Sequence, residues 1–161
     1  MKKIKIYLET SAICNLYQLN KPKEMADMKA LWELLKQGEY DVVISSTVTK
    51  EIMDIKDKAK LDLIIDYLAQ IDIERFNLTD EAHSIAQMII KHEILTENSY
   101  DDCTHIASAM ITGCDCIISY NFRHLVNIRV IKNIRKISFI HGFGDMDIMT
   151  AEALLQKGDE E

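Results

Sequence analysis

The stretch from Tyr100 to Leu125, YDDCTHIASAMITGCDCIISYNFRHL, decides how the rest of the chain is read. Two acids, Asp101 and Asp102, open what the spacing predicts to be a helix. Asp102, Ile106, Ala109 and Met110 fall close to one line along it, and Ala107, Ser108 and Ala109 are small enough for close packing on a sheet. Gly113 leads into the apolar run Cys116, Ile117 and Ile118, which reads as a buried strand and stops at Ser119, Tyr120 and Asn121. The polar end of such a strand is where open α/β sheets gather their ligands, because loops and helix N-termini converge there.

Two earlier stretches have the same shape. Residues 3–8, KIKIYL, read as a first strand, followed by Glu9, Thr10 and Ser11; Thr10 or Ser11 is expected to cap the helix that AICNLYQL begins. Tyr40, Val42, Val43 and Ile44 form a second short strand closed by Ser45, Ser46 and Thr47. Their hydroxyls again offer helix caps, and Glu51 lies about one turn into the helix that follows. Each of the three junctions carries a carboxylate.

The remaining segments fill in the alternation. After Pro22, a helix from about Glu24 to Lys36 places Met25, Met28, Leu31, Trp32 and Leu35 at helical spacing and ends at Gly38. A helix from about Asp57 to Ala69 carries Leu61, Ile64, Ile65 and Leu68 on one face. Ile71 to Phe76 mixes charged and apolar residues, as an edge strand does. Thr79 opens a helix with Ala82, Ile85, Ala86, Ile89 and Ile90 as its stripe, while His83 and His92 fall at exposed positions with no partner at ligand spacing. The tail reads as a helix or irregular segment through Ile134, a strand around Ile137 to Ile140, and a last helix starting at Thr150 that frays from Lys157 to Glu161. Strands alternating with helices predict an α/β fold: a three-layer α/β/α sandwich with a central, mainly parallel sheet of four to five strands, in one domain over residues 1–161.

Composition agrees with one core. The chain has 161 residues, 48% of them hydrophobic, and with one proline and five glycines it has no linker-like run. MKKIKIYLETS has too few apolar residues for a signal-peptide core or a bilayer span, so a cytoplasmic protein is expected. Cys14, Cys103, Cys114 and Cys116 suit that compartment as reduced core side chains, and the Cys114–Cys116 pair lacks the second pair a zinc site needs. A net charge of −7 argues against coating nucleic acid by charge alone. Yet no Asp or Glu occurs from Cys116 to Gly144, where Arg123, Arg129, Lys132, Arg135 and Lys136 fall: either a solvated helix face or a phosphate-facing surface.

In a parallel sheet Glu9, Glu51, Asp102 and Asn121 all arrive at the carboxyl edge, whereas Asp115 precedes its strand and belongs to the opposite one. His105 lies one turn from Asp101 and Asp102, within reach of the same cleft. Crowded carboxylates raise one another's pKa, so such a cluster points to a shared cation, and oxygen-only donors favour magnesium or manganese. Such an ion suits hydrolysis of a phosphodiester by activated water. Neither a G-x-G-x-x-G nor a Walker A pattern supports a nucleotide-binding alternative.

As a set, IYLETS, SSTVTKEI, DDCTHIASA and CIISYNFRHL resemble the PIN domain family, the nuclease fold of VapC-type toxins and of several RNA-processing proteins. The resemblance implies a ribonuclease dependent on magnesium or manganese, with Glu9, Glu51, Asp102 and Asn121 as catalytic metal ligands. It places Thr10, Ser11 and Ser119 in the pocket or against the phosphate; His105, by its spacing from the acids, and Arg123, by its charge, are further substrate-binding candidates. RNA is the implied substrate, an antitoxin protein the implied partner, and a homodimer the implied assembly. Family members usually carry aspartate where Glu9 and Asn121 stand. The extra methylene of Glu9 and the lost charge at Asn121 imply one metal or slow turnover, and leave a catalytically silent scaffold that binds RNA or protein as the competing expectation.

Overall fold

The computed structural model describes residues 2–159. Five strands, β1 (Lys5–Leu8), β2 (Asp41–Ser45), β3 (Glu74–Phe76), β4 (Cys116–Ile118) and β5 (Asp147–Met149), form a single sheet in the order β3-β2-β1-β4-β5. Every pairing is parallel. The α/β/α expectation therefore holds, with a sheet that is wholly rather than mainly parallel.

In the central strand Ile6, Tyr7 and Leu8 are all fully buried, as a strand covered on both faces must be. The helices are α1 (Thr10–Cys14), which runs on into a 3₁₀ turn at Asn15–Tyr17, α2 (Pro22–Lys36), α3 (Ser46–Met53), α4 (Lys58–Leu68), α5 (Asp80–Lys91), α6 (Tyr100–Ile111), α7 (Ile128–Ile140) and α8 (Ala151–Asp159). Helix α5 packs along α6, and α2 along α8. Cys103 and Ile106 to Ala109 of α6 are buried, so the small residues of this helix do meet the core. All four cysteines are free, with Cys103, Cys114 and Cys116 buried. Among the described residues no helix is long and apolar enough to cross a membrane.

Several local expectations change. Proline starts α2 instead of preceding it, because its missing N–H costs nothing in a first turn. The helix after Glu9 is only one turn of α-helix before its 3₁₀ extension, and Glu9 is its cap: the carboxylate accepts the Ser11 N–H, so neither Thr10 nor Ser11 fills that role. At the second junction Ser45 occupies the cap position without a side-chain cap bond, since its hydroxyl is committed to Tyr7. Ser46 instead accepts the Leu78 N–H, and Thr47 pairs with Thr104. In α4 only Ile64 is fully buried, and Ile65 is exposed.

The largest difference is the tail. The segment around Ile137 to Ile140 is the end of helix α7, not a strand. Val130, Ile134, Ile137 and Ser138 are buried at helical spacing, Phe139 and Ile140 face solvent, and Asn127 caps the start through the Val130 N–H. Its β-branched composition suggested a strand, but the packing stripe has period 3.6. The fifth strand comes later, at Asp147–Met149. Helix α8 continues to Asp159, and the rest of the expected fraying, at residues 160–161, lies outside the described residues.

Candidate active site

Because all strands run the same way, the ends of β1, β2 and β4 open on one edge, and the start of α6 meets them there. Asp115 lies at the other edge, accepting the Lys5 N–H at 2.8 Å.

Glu9 follows β1 and is only 4% exposed. Its Oε1 accepts from the hydroxyls of Ser11 at 2.7 Å and Ser119 at 2.8 Å. Those serines in turn accept N–H groups from the end of β4: Tyr120 donates to Ser11 Oγ at 2.9 Å and Asn121 to Ser119 Oγ at 3.0 Å. With the Ser11 N–H on Oε2, the buried carboxyl group thus has three donors from the protein.

Glu51, half-buried in α3, receives Thr10 Oγ1 at 2.8 Å and His105 Nε2 at 2.7 Å, both on Oε1. Burial works to raise its pKa, but the hydrogen bond and charge of His105, with Thr10 and Lys50, bring it below the usual carboxylate value. His105 itself is 1% exposed. Burial alone would lower its pKa; the bond to Glu51 and the charges of Glu9, Glu51 and Asp102 raise it instead. The ring therefore sits within the field of all three acids.

Asp102, in the first turn of α6, accepts from Asn121 Nδ2 on Oδ1 at 3.3 Å and meets His124 Nδ1 at 3.0 Å on Oδ2. Burial raises its pKa and the charge of Glu9 adds to that, against the opposing pull of His105 and His124. Asn121 Oδ1 accepts the His124 backbone N–H at 3.1 Å. A backbone N–H can only donate, which fixes the amide orientation and commits the Asn121 nitrogen to Asp102. Its neighbour Asp101 is exposed.

The structure thus brings Glu9, Glu51, Asp102 and Asn121 to one sheet edge. His105 and Ser119 are buried there and turned toward acids, which suits them to holding carboxylates and not to meeting a phosphate directly. Arg123 is exposed in the turn after Asn121. Two participants are not singled out in the sequence, His124 on Asp102 and Tyr7 behind His105, and Ser45, expected only as a helix cap, stands behind Tyr7. His124 could have been found from its place three residues after Asn121; nothing local marks Tyr7, a strand residue whose hydroxyl acts across the sheet.

A family model for the PIN domain matches residues 6–129, from the first strand through all of these side chains. The chain belongs to the PIN domain family. A search of curated proteins finds no match for this PIN domain. Its fold is similar to VapBC2 from Rickettsia felis, solved bound to a DNA fragment from its promoter, with a TM-score of 0.56 at 15% identity over 90% of this chain and 98% of that one. It is also similar to VapC20 of Mycobacterium tuberculosis, a sarcin-ricin loop cleaving toxin, with a TM-score of 0.56 at 16% identity over 74% of this chain and 92% of that one. At such identities the likeness is one of fold.

The donor set suits a hard divalent cation, since the three acids supply only oxygen. Among the described residues no three His, Cys, Asp or Glu side chains close around a common point. Magnesium does not need such a cage, because it keeps several waters and binds through one or two carboxylates. The residues therefore fit an ion held partly by water.

Proposed function

We propose that this PIN domain is an endoribonuclease dependent on magnesium or manganese, of the VapC kind. The observation that carries the reading is the arrival of Glu9, Glu51 and Asp102, from three separate parts of the chain, at one edge of the parallel sheet. Each acid keeps dedicated hydrogen-bond partners. Glu9, Glu51 and Asp102 would hold the ion. Asn121 would orient Asp102 and offer its oxygen's second lone pair. A bound ion would offset charge on the phosphate and make water easier to deprotonate.

The chain's own groups do the rest. Ser11 and Ser119 fix Glu9, Thr10 and His105 fix Glu51, and Asn121 and His124 fix Asp102. Arg123, exposed in the turn just after Asn121, supplies positive charge next to this edge for an RNA backbone. With one carboxylate fewer than is usual in the family, a single ion and slow turnover follow. By likeness to the VapC toxins, a partner antitoxin is proposed as the chain's inhibitor.

The test is incubation of purified protein with single-stranded RNA and manganese. Cleavage that chelation abolishes and Asp102→Asn removes is expected. RNA left intact at every manganese concentration, with retained RNA binding, would favour the silent scaffold.

A further inference from the structure

We propose that His105 is a positioning residue for Glu51: backed by Tyr7 and Ser45, it pins one carboxylate oxygen so that the other is presented to the cation. This rests on the cation-dependent reading of the site.

The geometry is a buried chain of hydrogen bonds running through the sheet. Ser45 Oγ, at the end of β2, lies 2.7 Å from the Tyr7 hydroxyl of β1, and that hydroxyl lies 2.6 Å from His105 Nδ1 on α6. His105 Nε2 then reaches Glu51 Oε1 of α3 at 2.7 Å. Ser45, Tyr7 and His105 are each at most 1% exposed, whereas the Glu51 side chain is 36% exposed. The fixed end is in the core and the held end reaches solvent.

Bond directions follow from the inventory of donors. An ionised carboxylate only accepts, so Nε2 carries the hydrogen in the bond to Glu51. With a neutral ring, Nδ1 accepts from Tyr7 and Tyr7 accepts from Ser45. With a charged ring, those two bonds reverse and the one to Glu51 does not. The contact is therefore independent of the ring's charge. Thr10 places a second donor on the same oxygen, which leaves Oε2 outside both bonds.

A glutamate has three rotatable side-chain bonds, and half-exposed on a helix it would sample several rotamers. Two donors on Oε1, one of them locked through two strands, remove that freedom before an ion arrives. Partners of this kind typically govern metal affinity by about 10- to 100-fold. A histidine present only to fill the core would be replaceable by any side chain that packs, so its chemistry provides the distinction.

The experiment measures manganese binding to the protein without RNA, by the EPR signal of free Mn²⁺, alongside melting temperature in chelator. His105→Asn keeps a donor near Nδ1 but cannot reach Glu51; His105→Gln places an amide nitrogen near the former Nε2. Affinity is expected to fall about 10- to 100-fold in His105→Asn, and His105→Gln should recover most of it. Tyr7→Phe, which leaves the histidine unsupported, should show an intermediate loss. Wild-type affinity in a folded His105→Asn variant would overturn the proposal, as would equal losses in the Asn and Gln variants with equal falls in melting temperature. If His105→Asn does not fold, unchanged affinity in both Tyr7→Phe and Ser45→Ala would overturn it. A wild-type protein that binds no manganese would instead refute the cation-dependent reading and this proposal with it.

Discussion

Ser119, just past the end of β4, donates its hydroxyl to Glu9 Oε1 at 2.8 Å across 110 positions of sequence. One hydrogen bond thus ties the first and last junctions of the site together, and it is wholly buried. Removing it in Ser119→Ala leaves Glu9 with Ser11 and deprives the Asn121 N–H of its acceptor. The expected cost is about 1–3 kcal/mol of stability, read from urea unfolding. Cleavage should fall by about 10-fold, because Glu9 loses a support without losing its charge.

The adjacent acids of α6 give a sharper comparison. Asp102 is held by Asn121 and His124, whereas Asp101 is exposed. Asp102→Asn should lower metal-dependent cleavage by roughly 100-fold or more while the melting temperature in chelator stays within a few degrees. Asp101→Asn should leave the rate within about 2-fold, as surface changes usually do. Equal effects in single-turnover assays would reject the assignment of Asp102.

Stability of the chelated protein should depend on pH in a direction set by three groups. His105 has a raised pKa, so its contribution is complete below its unfolded value of about 6.5 and is lost as pH rises through the folded value. Asp102, also raised by burial, has the same sign over a lower range: the fold loses stability as its carboxyl ionises. Glu51 is lowered, so its contribution is present above its unfolded value of about 4.3 and is lost on further acidification. Melting temperature should therefore be higher near about pH 6 than near about pH 8.5, and His105→Gln should flatten that difference.

The turn between Asn121 and helix α7 bears on substrate affinity. Arg123, Lys132 and Lys136 are exposed, while Arg135 is paired with Asp145 at 3.0 Å. Arg123→Ala should weaken RNA binding at every sequence tested and lower the salt slope by about 0.7 for the lost phosphate contact, whereas Lys132→Ala and Lys136→Ala, beside Asp145 and away from the site, should change it little. Arg135→Ala should change it least. Fluorescence anisotropy across a salt series, with the Asp102→Asn variant as background to prevent cleavage, reads both quantities.

Local sequence specifies some regions of this chain more fully than others. Apolar runs bounded by polar ends gave β1, β2 and β4, and in a parallel sheet that was enough to put Glu9, Glu51 and Asp102 on one edge. The segment Ile137 to Ile140 misled because β-branched and aromatic residues suit a strand equally well, and only its continuity with Val130 and Ile134 makes it helical. The serines and threonines of the junctions looked like helix caps because that is their commonest local use. Ser45 and Thr47 instead bond to side chains on other elements.

Strand order of charge and hydrophobicity along the chain was sufficient to place the acids, since a parallel α/β sheet converts sequence position into a common edge. The partners of each acid emerged only in three dimensions: Ser119 with Glu9, His105 with Glu51, and His124 with Asp102. Local sequence encodes backbone direction, but a hydrogen bond between groups tens of residues apart depends on how neighbouring strands and helices are brought into register by the core.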